Sequence, residues 1–302
     1  MLRRHKRLSA ALATAVMAFG TLTALPAATA AAAPAWSAAP AWSTVVCHGT
    51  IKRPGVLNGT YWNVIVRGVC VVNRGPVLVQ RNVWVGKGST LLAAYGQHHS
   101  HLVVDRDIFV KANGALLLGC EAKHFVCLDD PHPSHPSLKS HSTIFGSLLG
   151  DHALGIVVHN SWIGHQVSQL GGGGGKTCKP KGIFAVVHSP VYSDYEDNFI
   201  RGNLNVKHVR SCWLGVIRDF IASSATISSN TMADPDAMEV VTNTVLLNLA
   251  CWRDSPQVQF GDSHGKPNKV GRQAGLQCGF HVLKPNPAGQ NVHFEHISVP
   301  LR

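Results

Sequence analysis

Acidic residues are scarce in this chain. It has 302 residues, with 16 Asp and Glu against 27 Lys and Arg, and charged residues make up only 14% of it. The formal net charge is therefore +11. The basic residues are scattered, without a dense Lys/Arg block or a nucleic-acid motif, which argues against nucleic-acid binding. Aromatic residues are few, at 7%. No long 3.6-residue apolar period appears, so a helical or βαβ architecture is not expected. No Cys-x-x-Cys pair occurs, which argues against a thiolate metal site.

The first segment sets the compartment. Arg3, Arg4, His5, Lys6 and Arg7 precede an uncharged apolar stretch from about Leu8 to Leu25. Pro26-Ala-Ala-Thr-Ala30 then supplies small residues. A charged region, an apolar region and an Ala-x-Ala-like site in that order predict a signal peptide over 1–30. The apolar run is marginal for a membrane span and is interrupted by Gly20 and Pro26, so none is expected in the mature chain. Ala/Pro-rich residues 31–44 read as a linker. One folded domain over 45–285 and a tail or cap over 286–302 complete the division. Without Arg3, Arg4, Lys6 and Arg7 the formal charge is about +7. That balance suits anionic glycans or cell-wall polymers as partners of a secreted or cell-surface protein.

Eight cysteines follow the signal: Cys47, Cys70, Cys120, Cys127, Cys178, Cys212, Cys251 and Cys278. An even number in an exported chain predicts disulfides. Sequence leaves the connectivity open. Cys120–Cys127 would staple one local loop. Cys47–Cys70, Cys178–Cys212 and Cys251–Cys278 have spacings near one solenoid turn plus loops.

The strongest signal is an internal repeat. A template of polar, x, Ile/Val, x, x, Ser/Asn/Gln, aliphatic begins at Ser142, Ser161, Asn198, Asp219, Asn243 and Asn268. The third position reads Ile144, Ile163, Ile200, Ile221, Val245 and Val270. The sixth reads Ser147, Gln166, Asn203, Ser224, Asn248 and Gln273, and the seventh Leu148, Val167, Leu204, Ala225, Leu249 and Ala274. The one long gap holds Gly171 to Gly175, which reads as a flexible insertion. Looser copies start at Asn63, Asn82 and Asp107.

Short β-branched runs broken by Gly, Asn, Ser and Asp read as strands. One such unit cannot bury its apolar face, but a stack can. The reading is an all-β, single-stranded, right-handed parallel β-helix (β-solenoid) of about ten coils, right-handed by default. At roughly 4.8 Å per coil it would extend about 50 Å. The sixth-position residues are expected to form a polar ladder at a corner. A β-sandwich is the competing architecture, and it leaves the recurring polar residue unexplained.

Val191-Tyr-Ser-Asp-Tyr-Glu-Asp-Asn198, Asn230-Thr-Met-Ala-Asp-Pro-Asp236, Val258-Gln-Phe-Gly-Asp-Ser263 and the Asn-Thr-Val…Asn-Leu repeat add a resemblance. Over about residues 45–285 the chain resembles a family of secreted actinobacterial proteins with Asn-Thr-Val-Gly-Gly-Asn-Leu/Val repeats, mostly uncharacterised. The resemblance implies secretion and a β-solenoid, and it brings no catalytic residues. The Gly-Gly pair is replaced here, for example by Phe145-Gly146 and Leu246-Leu247. Bulkier residues there are expected to make the corner less regular.

Candidate sites are few. Leu170 to Thr177 misses a phosphate-binding loop by its first glycine. Gly261-Asp-Ser-His-Gly265 has the letters of a nucleophile elbow without the helix that motif needs. His99 and His101 have the spacing of a two-histidine metal site on a strand. His132 and His135 fall in a Pro-rich loop. The acidic segments hold Asp194, Glu196 and Asp197, then Asp234 and Asp236, then Asp262. Each precedes a copy of the template, so stacking is expected to gather them on one edge. There they would bind Ca²⁺, act as a general acid and base on a glycan, or serve only as turn residues. No other cofactor is implied. The expected function is a secreted structural or glycan-binding solenoid, with self-association as a further possibility. The alternative is a polysaccharide-acting enzyme, lyase or glycoside hydrolase, of the parallel β-helix kind.

Overall fold

A computed structural model describes residues 43–73, 75–94, 100–119, 140–259 and 266–279, all within the compact unit Pro40–Arg302. Cys120, Cys127, His99 and Asp262 lie outside these residues, as do the signal region and the tail.

Strand alternation builds the fold. In Val83–Val85 the two valines are buried and Trp84 between them is half-buried, and Ile108–Val110 repeats the pattern with Phe109. Such a strand buries one side, so it needs a copy of itself above and below. The chain supplies those copies by coiling. Each full coil adds one strand to each of three parallel sheets, here A, B and C in chain order.

Among the described residues sheet C contains nine strands, from Gly59–Tyr61 to Lys269–Val270. Sheets A and B share the strand Asn63–Val71 and together count 17 among the same residues. Among the described residues, sheet A runs from Thr44–Gly49 to Ala274–Leu276. Sheet B runs from Gly55–Val56 to Glu239–Val241.

The repeat maps directly onto this architecture. Ile144, Ile163, Ile200, Ile221, Val245 and Val270 are successive register partners in sheet C. Leu148, Val167, Leu204, Ala225, Leu249 and Ala274 are partners in sheet A. The looser N-terminal copies join the same column, since Val64, Val83, Ile108 and Leu148 are in register. Most of these side chains are fully buried.

The expected ladder is present at the corner from sheet C to sheet A. Asn82 N–H donates to Asn63 Oδ1, Asp107 N–H to Asn82 Oδ1, and Ser147 N–H to Asp107 Oδ1 at 2.7 Å. The contacts run from backbone to side chain rather than from amide to amide. This corner is also more regular than its bulky residues suggest. Backbone bonds such as Arg201 N–H to Ile163 O and Leu246 N–H to Ile221 O repeat coil after coil. Phe145 and Leu246 are exposed, so their bulk never enters the turn.

Two further ladders occupy the other corners. Between sheets B and C, Ser161 N–H donates to Asn198 Oδ1, Asn198 N–H to Asp219 Oδ1, Asp219 N–H to Asn243 Oδ1, and Asn243 N–H to Asn268 Oδ1. Between sheets A and B, Asn230, Asp254 and Gln277 do the same. The residue before most of the rungs is left-handed: Asp197, Arg218 and Thr242 at one corner, Ser229 and Arg253 at the other.

The disulfides Cys47–Cys70, Cys178–Cys212 and Cys251–Cys278 form as expected. The glycine run departs from expectation. Gly171 to Gly175 all have positive φ, and the run is pinned on both sides. Gly171 N–H donates to Lys207 O, Gly173 N–H to Ala153 O and Gly175 N–H to Arg210 O. A Cβ on Gly172 would stand 2.0 Å from Ala153 O, so glycine here permits close backbone approach rather than flexibility.

Candidate functional site

Strand Tyr192–Glu196 carries most of the acidic candidates. Ser193 and Tyr195 face the core, where Tyr195 Oη donates to Gln169 Oε1 and Gln169 Nε2 donates to Ser193 Oγ. With a period of two, Asp194 and Glu196 occupy the opposite face of sheet B. Asp194 Oδ2 lies 3.0 Å from His159 Nε2 on the preceding coil. Arg218, from the following coil, donates to Glu196 Oε2 at 2.7 Å and to both oxygens of Asp197 at 3.0 and 3.1 Å. All these side chains are nearly buried, with His159 the most exposed at 13%.

Gly215 makes the room for Asp194. The two are register partners, and a Cβ on Gly215 would fall 2.3 Å from Asp194 Oδ1. The next partner in that column is Glu239, which is also buried. Sequence reasoning missed Glu239 because it sits in the apolar string Met238-Glu-Val-Val241. Register with Gly215 was the signal that could have found it.

The acidic segments do not gather on one edge, contrary to expectation. Asp194 and Glu196 lie within sheet B, and Asp197 turns the corner toward sheet C. Asp234 and Asp236 lie in the loop before Glu239–Val241, on the side of sheet A. Asp236 N–H donates to Asp234 Oδ1, and Gln259 Nε2 donates to Asp236 Oδ1. These two are turn residues. The misreading has a simple cause: residues ahead of the template enter sheet B and both its flanks, not a single corner.

The donor set fits a hard cation poorly. Atoms of His159, Asp194 and Glu196 lie within 4.8 Å of one another. Ca²⁺ asks for six to eight oxygen ligands, whereas His159 and Arg218 already answer these carboxylates. Cys178, Cys212 and Asp234 also converge, but both sulfurs are in the disulfide. The ring of His101 stacks on His141, its register partner, with centroids 4.1 Å apart.

Burial dominates the titration of nearby groups. It pushes the Tyr195 phenol well up, with Asp194 and Asp219 adding to the effect. Asp219 is likewise raised by burial, and by Asp194 and Asp197, against the hydrogen bonds from Asn198.

The exposed surface has the opposite sign. Among the described residues Asp105 and Asp151 are the only exposed acids, while Asp194, Glu196, Asp219, Asp234, Asp236, Glu239 and Asp254 are buried. Basic residues are mostly exposed, and several of them stand at the corner from sheet C to sheet A. Arg106 N–H donates to Arg81 O, Gly146 N–H to Arg106 O, and His165 N–H to Gly146 O, one residue per coil. Arg201 and Arg272 lie farther along the same corner, and Lys269 projects from the adjoining strand. Arg106, His165, Arg201, Lys269 and Arg272 are all exposed.

Beside this corner an aromatic column runs up sheet C. Trp162, Phe199 and Phe220 are register partners. Their rings are nearly parallel, with interplanar angles of 2° and 6° and centroids 6.4 and 5.1 Å apart. Stacked this way, the rings cover one another's faces and turn their edges outward. The column therefore ties neighbouring coils together. Phe145 closes its end edge-on to Trp162.

Comparison of the chain with known protein families, curated proteins and solved structures finds no match. No helix among the described residues is long and apolar enough to cross a membrane.

Proposed function

We propose that this protein is an extracellular β-solenoid that binds a linear anionic polysaccharide or wall polymer along its basic corner. The observation that supports this most is the segregation of charge. Burying the acids leaves a surface more cationic than the composition alone indicates. Successive coils are roughly 4.8 Å apart, of the order of one sugar ring. A polyanion lying along the corner meets Arg81, Arg106, His165, Arg201 and Arg272, with the uncharged rungs Gly146, Ser223 and Leu247 between them. The disulfides and the apolar N-terminal segment support an exported location, as does the resemblance to secreted actinobacterial repeat proteins. The glycan-cleaving alternative has less support, because its carboxylates are buried and engaged by His159 and Arg218.

The test is binding of purified protein to polygalacturonate and to a neutral β-glucan. Retention on polygalacturonate alone is expected, weakening at least tenfold as salt rises from about 50 to 200 mM. The triple variant Arg106→Ala/Arg201→Ala/Arg272→Ala should lose another tenfold or more with its melting temperature intact. Equal binding by this variant, preference for the neutral glucan, or tighter binding to duplex DNA would each overturn the assignment.

A further inference from the structure

Two rungs of the buried ladders are carboxyls where their neighbours are amides. In the ladder between sheets B and C, each Asn donates from Nδ2 to a carbonyl one coil back. Asn198 reaches Val158 O at 2.8 Å, Asn243 reaches Val216 O at 2.7 Å, and Asn268 reaches Val240 O at 2.7 Å. Val158, Tyr195, Val216 and Val240 are successive register partners. The equivalent partner of Asp219 is therefore Tyr195 O. In the ladder between sheets A and B, Asn230 donates to Val206 O at 3.0 Å. Val206, Ile227 and Cys251 are in register, so the partner of Asp254 is Ile227 O.

In both acids Oδ1 accepts from the Asn below: Asp219 from Asn198 N–H at 2.8 Å, Asp254 from Asn230 N–H and Nδ2 at 2.9 Å. In both, Oδ2 is buried without a hydrogen-bond partner. An ionised oxygen facing a carbonyl is repelled, whereas a protonated one donates as the amide does.

We propose that Asp219 and Asp254 are neutral acid rungs that close their ladders only when protonated, so that Asp254 releases the last described coil as pH rises. Asp254 is the joint to that coil. Its N–H donates to Gln277 Oε1 and its carbonyl accepts from Gln277 Nε2. It is faced by Asn230 from one side and Gln277 from the other, and Arg253 beside it is exposed. Asp219 is faced by Asp194, Tyr195 and Asp197 on one side and Asn243 on the other, with Arg218 adjacent in sequence.

Burial raises the Asp254 pKa from 3.8 to about 6, against the hydrogen bonds from Asn230. A folded-state value above the unfolded one makes protonation stabilising. That contribution is complete below about pH 4 and is lost as pH rises through about 6. Asp219 is raised too, so its contribution is lost at higher pH than that of an ordinary carboxyl.

The test is the melting temperature and amide exchange of the disulfide-intact protein from pH 4 to 8, with Asp254→Asn and Asp219→Asn. Wild-type amides of residues 274–279 should exchange at least tenfold faster, relative to the core, at pH 8 than at pH 5 after correction for intrinsic rates. Asp254→Asn should abolish that acceleration and raise the melting temperature at pH 8. An unchanged profile, or a lower melting temperature at pH 8, overturns the proposal. If the variants do not fold, a ¹³C titration of the wild-type Asp carboxyls decides. An Asp254 midpoint near 6 supports the proposal, and one near 4 overturns it.

Discussion

At the residue scale, stability depends on how buried charge is paired. Arg218 joins Glu196 and Asp197 while only 10% exposed. Removing one partner of such a group leaves the other charges buried and uncompensated, which costs about 3–5 kcal/mol. Arg218→Ala is accordingly expected to destabilise the protein by that order in urea unfolding at pH 7. Gly215 is constrained differently. A Cβ there meets both Asp194 Oδ1 and the Trp213 ring at 2.3 Å. Gly215→Ala should therefore cost about 1–3 kcal/mol through overpacking, seen as a lower midpoint with an unchanged slope.

The element scale rests on columns. Ile200 is fully buried between Ile163 and Ile221. Truncation to Ala opens a cavity between two coils and should cost about 2–5 kcal/mol, whereas the same change at half-buried Thr244 in sheet C should be nearly silent. The segment from Gly171 to Pro190 is fastened by Cys178–Cys212 as well as by its glycine backbone. Replacing both cysteines by Ser should lower stability by about 3 kcal/mol, and protease cleavage should then begin between Lys176 and Lys181. The columns were legible in the sequence because the third and seventh template positions recur with the right chemistry. The two additional ladders were half legible. Asn198, Asp219 and Asn243 opened the template, but nothing in their letters showed that the preceding Asp197, Arg218 and Thr242 turn left-handed. The glycine run was misread because composition cannot distinguish a free linker from backbone packed against Ala153 and Arg210.

At the scale of the whole molecule, charge is sorted by depth. A coil presents each side chain either to the core, to a covered face or to solvent, and among the described residues most acids lie in the first two and most bases in the third. The expected consequence is a binding function that is strongly salt dependent, with the logarithm of the affinity for polygalacturonate falling linearly against the logarithm of salt concentration. A flat dependence would mean that the basic corner plays no part. The nearly parallel stack of Trp162, Phe199 and Phe220 belongs to this scale too, since it links three successive coils.

Periodicity by itself determined the parallel coil, its core columns and one polar corner, and its spacing suggested the three disulfide pairings that the structure holds. It could do so because stacking copies of one short unit leaves few other ways to bury Ile, Val and Leu. Only the tertiary structure decided what the acids do. Asp194, Glu196, Asp219 and Glu239 become neighbours through register between coils that lie 20 or more residues apart in the chain. Burial turns Asp194, Glu196 and Asp197, which looked like part of an exposed acidic edge, into paired groups, because desolvation leaves a carboxyl stable only when paired or protonated.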